Sequence, residues 1–130
     1  MTAPLSAGIR AIGMIGPGFD DWNAARAVLQ GTSTGWQPAA TRIPSPTMLP
    51  PAERRRVGAV VKLALVAGMQ AVEAAGADAA TLATVFASAG GDGANCHAIC
   101  EALAGNDRLI SPTRFHNSVN NAASGYWGIA

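Results

Sequence analysis

Hydrophobic positions in this chain fall into short dense runs punctuated by glycine and proline. Over 9–15 the run Ile-Arg-Ala-Ile-Gly-Met-Ile stops at Gly16-Pro17-Gly18, the pattern of a buried strand closed by a turn. The spacing then changes to three and four at Trp22, Ala25, Val28 and Leu29, which predicts a helix with one apolar face, capped by Asp20 or Asp21 and stopped at Gly31. From Thr32 to Pro51 the prolines Pro38, Pro44, Pro46, Pro50 and Pro51 remove too many N–H groups for regular structure, so this is a long loop, ordered or flexible.

Helical spacing returns from Pro51 to about Ala75 through Val57, Val60, Val61, Leu65, Val66, Met69 and Val72. Pro51 suits a first turn, and Ala59, Ala64, Ala67, Gly68 and Ala71 let another backbone approach, so a buried central helix is expected. Gly76 stands where a left-handed cap is expected. Leu82 to Ser88 reads as a second strand, broken at Ala89-Gly90-Gly91-Asp92-Gly93. A helix follows over 94–104, with Ile99 and Leu103 on one face and Gly105 beyond it. An alanine-rich helix including Val119, Ala122, Ala123 and Tyr126 comes last.

Strands alternating with helices predict an α/β fold with parallel strands. Two strands make a narrow sheet, so the expectation is one domain over 1–130, with a Pro-rich loop at 32–51, forming an incomplete part of a larger parallel or mixed sheet covered by helices.

Composition narrows the choice. The chain has 130 residues, 49% hydrophobic and 13% charged, too apolar for disorder and sparing in surface charge. A net charge of +1 provides no field to attract nucleic acid or an anionic membrane. No window approaches the roughly 18 apolar residues of a membrane span. Cys96 and Cys100 cannot make a disulfide framework, and as buried thiols they suit a reducing compartment. A soluble cytoplasmic protein is expected.

Four groupings could carry chemistry. Gly90 to Gly93 at a strand-to-helix junction could cradle a phosphate, but the spacing lacks the full glycine fingerprint and the phosphate-binding lysine, and a tight turn explains it. Cys96, His97 and Cys100 suggest a metal, yet His97 diverges from the cysteine face and a closed zinc site needs four ligands. Two buried thiols explain the pair, with a nucleophilic pairing of Cys100 and His116 as the alternative. Arg54, Arg55 and Arg56 form a solvated helix start or grip an anionic partner. His116-Asn117-Ser118-Val119-Asn120-Asn121 either caps the last helix through Asn117 or Ser118, or lines a cavity.

The stretch Ser111-Pro112-Thr113-Arg114-Phe115-His116-Asn117-Ser118-Val119-Asn120-Asn121-Ala122-Ala123 resembles a motif of the β-ketoacyl synthases, condensing enzymes of fatty-acid and polyketide assembly. The similarity extends over most of the chain, from the opening run at Ile9 through the helix with Leu63-Ala64-Leu65 to the turn at Gly90-Gly91. It implies the N-terminal portion of a thiolase-like fold, in a dimer that draws its substrate from acyl carrier protein, an acidic partner that Arg54 to Arg56 could meet.

It also implies that Ser118, Val119 and Asn121 face the acyl chain near the dimer interface, and that no cofactor or metal is needed. The family's nucleophilic cysteine lies beyond the region matching Tyr126 to Ala130, so none of Cys96, Cys100, His97 and His116 takes a catalytic role. The chain is closest to stand-alone synthase-like proteins and chain-length factors. Two readings follow: a synthase component supplying scaffold, interface and pocket wall, or a non-catalytic factor paired with an active synthase. A small nucleotide-binding domain using Gly90 to Gly93 is the reading from another class.

Overall fold

Helices, not strands, collect the apolar side chains. The computed structural model describes residues 4–130. Its α-helices are α1 (Trp22–Leu29), α2 (Pro51–Arg54), α3 (Ala59–Ala75), α4 (Gly93–Ala104), α5 (Pro112–Ser118) and α6 (Ala122–Trp127), with a 3-10 turn at Ala79–Thr81. The expected α/β sheet is therefore corrected. Among the described residues the β-type pairing is a single antiparallel bridge between Gly16 and Phe19, and neither 9–15 nor 82–88 forms a strand.

The physical reason is that an apolar run records a need for burial, whereas a strand requires a neighbour for its N–H and C=O groups. These runs lie against helices instead. Met14 N–H donates to Gln70 Oε1 at 3.1 Å, and Gln70 Nε2 donates to the Asp20 carbonyl at 2.8 Å. One α3 side chain thus holds the C-terminal end of the first run and the residue that follows its turn. Phe86, in the second run, packs a tilted ring 5.8 Å from Trp127. Burial is incomplete in both runs: Ile9 is 83% and Val85 95% exposed.

The core forms where α3 meets α6. Val61 and Leu65 from α3, Ala122 and Tyr126 from α6, and Val57 and Leu49 from the preceding chain are all buried, with Met48 and Trp127 packed against them. Fully burying a leucine such as Leu65 contributes about 1.5–3 kcal/mol. The end of the Pro-rich loop packs into the fold, with Pro46 and Leu49 buried, and the Trp36 indole donates to the Pro17 carbonyl at 3.1 Å.

The helix expected from Pro51 to Ala75 is two helices with a break at 55–58. Asn117 of α5 enters that break. Its Oδ1 accepts from Gly58 N–H at 3.0 Å, while its Nδ2 donates to the Arg56 and Thr113 carbonyls at 2.9 and 2.8 Å. Gly58, the N-cap of α3, brings low helix propensity to the same place. A second buried asparagine links the next pair, Asn95 Nδ2 of α4 donating to the Arg114 carbonyl of α5 at 2.8 Å. Elsewhere local rules hold: Asp21 caps α1 through Ala24 N–H, and Gly76 closes α3 at φ 57°, where other residues are strained.

Candidate functional site

α5 ends at Ser118 and α6 begins at Ala122, so the short link between them turns Val119 and Asn120 toward α3. Together with Phe86, Ala87 and Ser88 they enclose a cavity of about 380 Å³, within the usual range for a small-molecule site. Its apolar wall comes from Val60, Val61 and Ala64 of α3, Phe86, Val119, and Ala122 with Ala123 of α6. Ser88, Asp92, Asn117, Ser118 and Asn120 supply polar groups on the lining.

Most of those polar groups are already engaged. The Asn117 amide is used by three backbone groups. The Ser118 hydroxyl donates to the Phe115 carbonyl at 2.8 Å. Asp92 caps α4 by accepting from Asn95 N–H at 3.0 Å, and a Cβ built on Gly58 would lie 3.0 Å from Asp92 Oδ2. A guest in this cavity therefore meets apolar wall from α3, Phe86 and α6, with the Asn120 side chain and Asp92 Oδ2 as polar groups that make no hydrogen bond among the described residues.

The same arrangement disfavours a phosphate at Gly90 to Gly93. A carboxylate holds the α4 N-terminus, and Gly91 N–H donates to Ser88 Oγ at 2.8 Å. An anion there would face negative charge with part of the backbone cradle already used.

Of the residues expected to face an acyl chain, Ser118 and Val119 are on the lining. Asn121 is exposed at the head of α6, outside the lining, and makes no side-chain cap hydrogen bond. Neither Asn117 nor Ser118 caps the last helix: Asn117 belongs to α5 and reaches back to the α3 break, and the α6 N-cap is Asn121. Both cysteines, expected to be buried, are exposed on α4. The α4 backbone turns them away from the protein, a matter decided by which helix face finds a partner. His97 Nε2 lies 3.5 Å from Glu101 Oε1 on the same exposed helix, and the His116 ring stands edge-on to Tyr126 at 5.4 Å. Among the described residues no group of three or more His, Cys, Asp or Glu side chains could hold a metal.

The arginine run divides by partner. Arg54 Nη2 donates to the Thr47 and Leu49 carbonyls at 3.0 and 2.8 Å, Arg56 pairs with Glu53 at 3.3 Å, and Arg55 is exposed. Asn95 and Asp92 had no assigned role in the sequence reading. Their spacing of three, an aspartate before a helix with its acceptor aimed at the third N–H, is a start signal that locates the cap.

The fold and cavity define a helical domain with a mainly apolar site whose lining carries neither thiol nor imidazole. The sequence model for Beta-ketoacyl synthase, N-terminal domain matches residues 23–130, and the chain belongs to that family, which serves fatty-acid and polyketide assembly and works with acyl carrier protein. No curated protein and no solved structure matches the chain. Among the described residues no helix is long and apolar enough to cross a membrane.

Proposed function

We propose that the chain acts in β-ketoacyl-synthase-type assembly as scaffold, dimer interface and acyl-pocket wall, with Ser118 and Val119 against the acyl chain. The cavity between α3, the 86–88 segment and the α5–α6 link carries this reading, because most of its wall is apolar and the Asn117 amide and Ser118 hydroxyl on its lining are already hydrogen-bonded. Condensation needs an activated nucleophile. The exposed cysteines on α4 do not provide one to this cavity. A wall of this kind limits the length of chain that fits, so it serves equally in a synthase or in a chain-length factor paired with one. Arg55, exposed beside Arg56, is the cation best placed to meet an acidic carrier protein. The exposed side chains Phe115 and Ile129 are apolar surface that a dimer contact would cover.

The test is binding of a fluorescent decanoyl thioester to the whole chain. Val119→Trp fills the cavity and is expected to weaken binding about tenfold or more, while Cys96→Ser with Cys100→Ser leaves it unchanged. Binding that survives Val119→Trp would remove the acyl-wall reading.

A further inference from the structure

A second hollow, about 330 Å³, opens between α2, α5 and α6 and is lined by Glu53, Arg56, Pro112, Thr113, His116 and Tyr126. Unlike the first cavity it carries a guanidinium on its lining, and five of its six lining side chains can form hydrogen bonds. Tyr126 is the buried member, 2% exposed, with its ring in the core. Its hydroxyl has no hydrogen-bond partner among the described residues, and it is not sealed from solvent. Burial and the nearby Glu53 carboxylate push its pKa up, against a smaller opposing effect of Arg56. The phenol therefore stays protonated as a donor.

We propose that this hollow is an oxyanion site, receiving a phosphate or carboxylate group among Arg56, Thr113, His116 and Tyr126. Arg56 supplies the fixed positive charge and a planar fork of donors suited to two oxygens at once. Thr113 and Tyr126 add hydroxyl donors, and the His116 imidazole adds an N–H. Glu53 is the single negative group on the lining. It pairs with Arg56 at 3.3 Å, orienting the guanidinium while competing for it. Arg54 takes no part, since its guanidinium is turned to the Thr47 and Leu49 carbonyls. The inference is independent of the acyl reading, which concerns the separately lined cavity that includes Asn117 to Val119.

The experiment is a backbone-amide NMR titration of the whole chain with inorganic phosphate and, separately, with acetate at matched ionic strength. Saturable shifts are expected at Thr113, His116 and Tyr126 with millimolar affinity. Arg56→Gln should weaken binding roughly tenfold or more, and Tyr126→Phe, which keeps the core ring, by about two- to tenfold. Glu53→Gln should strengthen it, an effect opposite to that of a general loss of structure. Saturation by phosphate alone assigns a phosphate ligand, and saturation by acetate, alone or with phosphate, assigns a carboxylate. Shifts that do not saturate, that centre on Arg55 or Arg114, or that persist unchanged in Arg56→Gln overturn the proposal. Val119→Trp should leave this titration unaltered, so the two sites can fail separately.

Discussion

Two asparagines do at single positions what longer elements do elsewhere. Asn117 replaces a missing helical turn: it takes the orphan N–H of Gly58 and holds the Arg56 carbonyl, 59 and 61 positions away in sequence. Removing such a partner leaves buried polar groups unmet at about 1–3 kcal/mol each, partly recovered where water enters. Asn117→Ala should therefore lower unfolding free energy by roughly 2–4 kcal/mol, read from urea titration. Asn117→Asp should cost more, because it loses the two donors and brings a carboxylate near Asp92, whose Oδ2 faces the same Gly58. Equal stability of Asp and Asn variants would show that these bonds contribute nothing. The polar run from His116 to Asn121 was legible as capping or cavity lining. Which amide did which was not, since its partners are remote in sequence.

At the scale of elements, legibility followed locality. α1 was readable from Asp21, the spacing of Trp22, Ala25, Val28 and Leu29, and Gly31 at φ 69°, because a helix satisfies its backbone within four residues. The run at 9–15 was misread as a strand because its partner is α3, not another extended segment. Gly13 shows how close that approach is. A Cβ there would overlap the Ala67 carbonyl oxygen and lie 2.8 Å from Ala71 N, atoms of a helix backbone that cannot rotate aside. Gly13→Ala should displace the segment at a cost of about 1–3 kcal/mol and break the Met14 to Gln70 bond. Amide exchange at Met14 should accelerate markedly, with α3 remaining protected. Unchanged exchange at Met14 would contradict this packing.

For the whole molecule, one core joins α3, α6 and the end of the Pro-rich loop, and Tyr126 ties it to the polar hollow. Its raised pKa makes the fold alkali-sensitive in a defined direction. The folded protein holds this phenolic proton more tightly than the unfolded chain, whose ordinary value is 10.0. Stability from this group is therefore complete below pH 10.0 and declines as pH rises toward the higher folded value. Tyr126→Phe should flatten that decline in thermal melts recorded above pH 10.0. An identical alkaline loss in the variant would assign it to other groups.

Local spacing by itself determined α1, the C-terminal stop of α3 at Gly76, the helix after the glycine turn and the family to which the chain belongs, because these features depend on side chains and backbone bonds a few positions apart or on a linear motif. Only the tertiary structure decided that the apolar runs at 9–15 and 82–88 lie on helices without a sheet, that the cysteines face solvent, and that Asn117 divides the long helix. Each of those outcomes turns on which distant group satisfies a backbone N–H or covers an apolar face, and that competition is resolved only when the chain is folded.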